Sequence, residues 1–290
     1  MQGDIYLGNI LQMTPKMVLK RMLQNSFMRN TLRVCMYSPV DAFEVVTGRK
    51  GFLIPPRGMR FNDTKTYVSL GKRGLDQIIR HCELRPDHRV LDVGCGTGSV
   101  ALPLLDYLTT GSYDGFDIVP SWIHWCQDHI TRRNPRFRFA FIDAYSKHYN
   151  SSGKLTSETL KFPYEDHTFD CVILMSVFTH MRISGIRNYL HEISRVMKSG
   201  AKGFITTFLL NEEAEAAINA GRSRLPFPYR LEDCRIMDNV FPETAIAVPE
   251  KQMLSWFDEA ALRVTNILRG SWAGRQGPEN LHDDVVLQKI

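Results

Sequence analysis

With 290 residues, 43% of them hydrophobic and 23% charged, the chain has the makeup of a globular protein with a sizeable core, and no apolar run nears the roughly 20 residues of a bilayer span. Six cysteines without CxxC or zinc spacing predict reduced thiols, a cytoplasmic setting and no metal centre. The formal net charge of +5 is uneven: residues 1–60 hold nine Lys/Arg and three Asp/Glu, net +6, so residues 61–290 sum to −1, unlike a nucleic-acid binder.

The first residues lack an uninterrupted apolar core, so no signal peptide is expected. Met13, Met17, Leu19, Met22, Leu23, Phe27 and Met28 form a loosely helical apolar stripe among Lys16, Lys20, Arg21, Arg29 and Arg33. Residues 1–36 therefore read as a helix packed on the body, a flexible arm, or an interfacial helix that makes peripheral contact with an anionic membrane or grips a partner. A short helix is predicted from Pro39 to Thr47. The stiff stretch Pro55-Pro56-Arg57-Gly58-Met59-Arg60-Phe61 either folds over a ligand mouth or connects, and Thr66–Cys82 reads as a helix.

Arg89-Val90-Leu91 is an apolar run suited to a buried parallel strand. Asp92 leads from it into Gly94, Gly96 and Gly98, and a helix follows over Val100–Leu108. Glycines let the backbone turn sharply and admit a ligand to atoms a Cβ would shield, while the next helix offers free amides. Ser112–Asp117 is the second strand. Asp117 lies 25 residues past Asp92, about one βα unit, where such folds place a carboxylate for ribose hydroxyls. Ile118 and Trp122 offer apolar surface beside it. Strands follow at Phe137–Ile142, ending in Asp143, and at Phe169–Met175, ending in Ser176. Ser184 is a candidate cap of the next helix and Gly200 its C-terminal stop. Phe204–Leu210 is the fifth strand, and Arg263–Leu268 with Val285–Ile290 form a closing antiparallel pair. This alternation predicts an α/β fold: a Rossmann-like, doubly wound, seven-stranded, mostly parallel sheet with helices on both faces and an N-terminal helical extension over 1–60. Asp92, Asp117, Asp143 and Ser176 then share the carboxyl edge, where open α/β sheets bind ligands.

A dinucleotide fingerprint needs a third glycine where Ser99 or Ala101 stands, which disfavours a dehydrogenase. The D-x-G-x-G-x-G of VLDVGCGTG, together with YDGFDIV, FDCVILMSVFTHM and HEISRVMKSGAKGFITTFLLN, resembles class I S-adenosylmethionine-dependent methyltransferases over 61–290. By that resemblance Asp92, Gly94, Cys95, Gly96 and Gly98 cradle the amino-acid half of S-adenosylmethionine. Asp117 would hold the ribose, Ile118, Trp122, Asp143 and Ala144 the adenine, and Ser176 the floor by the methionine. Insertions 145–168 and 211–249 emerge on the ligand side and are expected to form a lid and acceptor pocket. Arg60, Tyr149 and Asn211 are candidate substrate contacts. His180, just past the fourth strand, is the candidate general base. The expected activity is methyl transfer to a small organic acceptor at oxygen or nitrogen. A lipid or membrane-associated acceptor reached through the basic arm, and a non-catalytic S-adenosylmethionine-binding protein, are the alternatives; the oligomeric state is open.

Overall fold

The computed structural model describes residues 26–48, 51–60, 62–278 and 280–290. The apolar stripe of residues 13–23, and with it most of the suggested membrane arm, lies outside the described residues, as does Phe61. In chain order the elements are α1 (Ser26–Val46), α2 (Thr64–Cys82), β1 (Arg89–Val93), α3 (Ala101–Tyr107), β2 (Ser112–Asp117), α4 (Pro120–Cys126), β3 (Phe137–Phe141), β4 (Phe169–Leu174), α5 (Ile183–Val196) and β5 (Met197–Thr207). Then follow β6 (Leu209–Leu210), α6 (Glu212–Asn219), β7 (Tyr229–Leu231), β8 (Cys234–Ile236), β9 (Ile246–Pro249), α7 (Glu250–Glu259), β10 (Leu262–Leu268) and β11 (Asp283–Lys289).

Seven strands make one sheet in the order β10-β11-β5-β4-β1-β2-β3. β1 to β5 run parallel, and β11 lies antiparallel to both β5 and β10. The chain steps outward from β1 to β3 and then reverses through β4, leaving a crevice at the reversal where such sheets take ligands. Alternate side chains of the central strands feed opposite layers. Leu91, Val172 and Leu174 pack with Leu190 of α5 and Phe257 of α7, while Val90, Cys171 and Ile173 pack with Ile78 of α2, Leu104 of α3 and Ile123 of α4. Burial of each such leucine, isoleucine or phenylalanine contributes roughly 1.5–3 kcal/mol, so both faces must be covered and both are. Among the described residues no helix is long and apolar enough to cross a membrane.

Three local expectations are corrected. α1 is one helix running through Pro39 rather than a short helix starting there. Tertiary contacts override the proline: Asp41 accepts from the Arg57 amide (2.8 and 2.9 Å), Glu44 pairs with Arg60 (2.7 Å), and Arg33 Nη2 donates to the Arg60 carbonyl (2.8 Å). Gly200 does not stop α5. Met197 already pairs with Phe169, whereas Cys171 pairs with Lys202, so the intervening residues bulge and Gly200, at φ +77°, supplies the left-handed residue the bulge needs. Ser184 bonds Glu158 (2.7 Å) instead of capping α5. The 211–249 insertion is also more ordered than a loop. It holds α6 and three strands of a second sheet, β6-β9-β8-β7, whose core of Phe208, Phe227 and Trp272 it shares with flanking segments.

The Glu44–Arg60 pair, with Arg60 only 2% exposed, anchors α1. Glu44→Ala strands a buried guanidinium and is expected to cost about 2–3 kcal/mol, because a lost bond to a charged group leaves its desolvation uncompensated. The midpoint of denaturant unfolding measures it.

Candidate functional site

The loop after β1 turns on residues of positive φ. At Gly94 (φ +75°) a Cβ would stand 2.3 Å from Val177 Cγ2, so only glycine lets β1 and the segment after β4 approach. At Gly96 (φ +56°) a Cβ would meet nothing within 4 Å; its backbone lies open on the cavity side. The Gly96 amide donates to Asp117 Oδ2 (2.9 Å) and the Val119 amide to Oδ1 (3.0 Å). Burial nevertheless outweighs these bonds and raises the Asp117 carboxyl to about 6. Under the loop Tyr113 donates to Asp92 Oδ2 (2.6 Å), and burial lifts Asp92 to about 7. From α2, Tyr67 donates to the Thr97 carbonyl (2.9 Å), fixing the far side of the turn.

A cavity of about 1180 Å³ opens along this edge. Ligand pockets commonly measure roughly 300–1,000 Å³, so there is room for a nucleoside-sized ligand and a second molecule. Asp92, Gly94, Cys95, Gly96, Asp117, Ile118, Trp122, Ala144, Ser176, His180, Tyr149 and Arg60 all line it. Ser176 holds a left-handed backbone (φ +58°), a conformation that costs of order 1–3 kcal/mol outside glycine and collects at functional sites. Its amide donates to Thr206 Oγ1 (2.7 Å), tying the ends of β4 and β5 together.

Asn211, Asp143 and Gly98 are not brought to the cavity wall. Asn211 caps α6, accepting from the Ala214 amide (3.0 Å) while its Nδ2 donates to Glu250 (2.8 Å); a side chain so spent does not reach a substrate. Asp143 turns toward Asn150 Nδ2 (3.4 Å) and Lys154 (4.0 Å). Gly98 sits behind the loop, where a Cβ would lie 2.9 Å from Ile130 Cδ1. Arg60 lines the rim, but its guanidinium is committed to Pro55 O (3.1 Å), Asn62 O (2.9 Å) and Glu44 (2.7 Å).

The two insertions meet at Glu243. Ser146 Oγ donates to its Oε2 (2.5 Å), as does the His148 amide (3.2 Å), and Lys147 Nζ donates to Val240 O (2.7 Å). His180 Nδ1 lies 2.9 Å from the Glu243 carbonyl. A carbonyl only accepts, so Nδ1 carries the proton and Nε2 keeps its lone pair. Burial lowers the His180 pKa from the usual histidine value, which keeps the ring neutral. The Tyr149 ring stands edge-on to His180 at 5.7 Å and to Trp122 at 6.1 Å.

Thr206, Asn280, His282 and Asp284 also line the cavity and were not anticipated from the sequence. Asp284 pairs with Thr206 across the antiparallel β5–β11 ladder. An antiparallel strand begins at the edge where its parallel neighbours end, so the His-Asp-Asp at the head of β11 was the available signal.

If Asp117 receives hydroxyls it must be ionised. Product-nucleoside affinity is therefore expected to be level well above pH 6 and to fall as pH drops through about 6, where Asp117 takes up a proton. Calorimetric titration of S-adenosylhomocysteine across that range measures it.

A family profile described as "Methyltransferase domain" matches residues 90–200. Sterol 24-C-methyltransferase erg6 of Schizosaccharomyces pombe (strain 972 / ATCC 24843) is 25% identical over 135 residues, covering 47% of this chain and 32% of that protein. The match thus spans about a third of the length of that curated relative. Among solved structures, the PH0226 protein from Pyrococcus horikoshii OT3 is similar with a TM-score of 0.54 and 16% identity, covering 81% of this chain and 96% of that one. Magnesium protoporphyrin IX methyltransferase from Synechocystis PCC 6803, solved with bound SAH, gives 0.50 and 12%, covering 80% and 89%. At these identities the structural likenesses speak for the fold.

Proposed function

We propose, from the premise that residues 90–200 are a class I S-adenosylmethionine-dependent methyltransferase domain, that the whole chain moves a methyl group from that cofactor to a small organic acceptor at oxygen or nitrogen. The observation that carries this reading is a single cavity joining the open Gly96 backbone and Asp117 at one end to His180 at the other. The residues fit the cofactor: a loop face with space against it, a buried carboxylate at a strand end, and a volume that leaves room for an acceptor. When bound, S-adenosylmethionine supplies an electrophilic methyl on a positively charged sulfur.

In this reading Gly94, Cys95 and Gly96 support the amino-acid half, Asp92 and Gly98 hold the loop from behind, and Ser176 lines the methionine end. Asp117 accepts from the ribose hydroxyls, while Ile118, Trp122 and Ala144 border the base. His180 Nε2 faces the acceptor and takes its proton. Insertions 145–168 and 211–249, locked through Glu243, exclude water and orient the acceptor, and orientation of this kind supplies roughly 7–11 kcal/mol in favourable cases. Residues 1–60 are read as an extension, of which α1 is tied on through Arg60, and 61–290 as the methyltransferase unit. The six cysteines, all unpaired, support a reducing, cytoplasmic setting.

One observation favours a lipid acceptor as the second reading. α1 exposes Leu32, Met36, Val40 and Phe43, with Met36 65% exposed, at spacings that share one helix face, and the Schizosaccharomyces relative is named for a sterol. Pelleting with anionic vesicles, compared with Met36→Asp, separates the two. For the leading reading, calorimetry is the first test: S-adenosylhomocysteine binds and NAD does not. The opposite preference overturns it. A metabolite screen for S-adenosylhomocysteine release then identifies the acceptor.

A further inference from the structure

Deepening the methyltransferase reading, on which it rests, we propose that the cavity end formed by Thr206, Asn280, His282 and Asp284, facing His180, is the acceptor lobe and is built for an amine. Along the sheet edge the Asp117 end lies over β2 and the glycine loop over β1. Ser176 follows over β4, Thr206 over β5 and Asp284 over β11. With the nucleoside at β2 and the methionine half at β1 and β4, the space over β5 and β11 remains for the acceptor.

Two adjacent aspartates show what this lobe lacks. Asp283 is fully partnered: the Leu209 amide (2.9 Å), the Gly270 amide (2.8 Å) and Trp272 Nε1 (2.7 Å) donate to it, and Arg275 lies at 3.6 Å. Asp284 is only 3% exposed, yet among the described residues a single bond reaches it, from Asn280 Nδ2 to Oδ2 (2.6 Å). Its other oxygen has no partner there, and no ion pair holds it. A buried carboxylate in that state demands a donor, and preferably a cation. Burial and the neighbouring Asp283 raise Asp284 to about 7, so an approaching ammonium gains its full effect by ionising it. His282 also lines the lobe, and burial together with His180 lowers it to about 4; neither ring supplies a cation to Asp284. The lining cations are Arg60, Arg73 and Arg182, and none pairs with Asp284. An acceptor bringing a carboxylate or phosphate here would meet Asp284 with no balancing charge. A hydroxyl would donate one bond but leave the carboxylate unneutralised.

The test compares S-adenosylhomocysteine with sinefungin, in which a carbon bearing an amine replaces the methylated sulfur, by calorimetry in mildly alkaline buffer. The wild-type chain should bind sinefungin about tenfold more tightly, and Asp284→Asn should lose that margin with S-adenosylhomocysteine affinity unchanged to within about twofold, as expected for one bond to a charged group. An undiminished preference in the variant, or no preference in the wild type, overturns the proposal while leaving the cofactor reading intact. If neither compound binds, the cofactor reading fails and takes the proposal with it. Should Asp284→Asn fail to fold, ligand-observed NMR on wild-type protein with S-adenosylhomocysteine decides instead. Small amines should bind and matched carboxylic acids or alcohols should not; hits confined to acids or alcohols, or no amine hit, overturn it.

Discussion

Replacing His180 with glutamine is expected to lower kcat by about 10²–10⁴, the usual worth of a positioned general base, while S-adenosylhomocysteine affinity changes little. The Nδ1 proton is fixed by the Glu243 carbonyl, so the wild-type Nε2 presents a lone pair without a tautomer change. Glutamine restores a polar group of similar reach but accepts no proton at neutral pH. The reading has its own pH signature. Because burial depresses the His180 pKa, the acid limb of the wild-type kcat profile should lie below the normal histidine range, and the variant should lack it. Unchanged turnover in His180→Gln with the true acceptor would reduce His180 to a wall of the pocket.

The second large effect falls on the cofactor. Asp117→Ala should weaken S-adenosylhomocysteine binding by about 100-fold or more. Each hydroxyl bond to a carboxylate is worth about 1.5–3 kcal/mol and each 1.4 kcal/mol is tenfold, so losing the ribose pair suffices. The substitution also releases the Gly96 and Val119 amides that Asp117 holds, loosening the loop. The milder Asp117→Asn is read through the pH dependence of stability. The folded-state pKa of Asp117 is raised to about 6, so its contribution to stability is present below the unfolded value and is lost as pH rises through about 6. Asparagine can accept from only one of the Gly96 and Val119 amides, so in the absence of ligand the variant is expected to melt below wild type, by least at pH 8 and by more on acidification. A melting series from pH 5 to 8 reads both limbs. A gap between wild type and variant that does not change between pH 5 and 8 would mean that the Asp117 carboxyl is not the titrating group.

What was legible in the sequence was local. The run Arg89–Leu91 into Gly94, Gly96 and Gly98 declares a strand, a turn and a helix within a dozen residues, and each strand-end acid is readable from its own flank. That placed most of the glycine loop, Asp117, Ser176 and His180 on one edge. Errors arose where a local rule met a longer-range partner. Pro39 reads as a helix start, but Asp41 and Glu44 are held from the segment at Arg57 and Arg60. Gly200 reads as a stop, but the β4–β5 ladder captures Met197. Asn211 was a helix cap inside a stretch read as a loop. Asp284 and His282 were missed for a topological reason: the closing antiparallel pair was legible, but not that its second strand lies against β5 and so starts at the ligand edge.

That reversed strand has a consequence for biosynthesis. Asp283 pairs with Thr207, so the wall opposite the glycine loop is completed only by a strand synthesised long after β4. N-terminal segments fold first on the ribosome, and the nucleoside-gripping half is whole once β4 has emerged. A nascent or prematurely terminated polypeptide would then sequester cofactor without a complete wall for its partner molecule, and cells would have reason to degrade such fragments quickly.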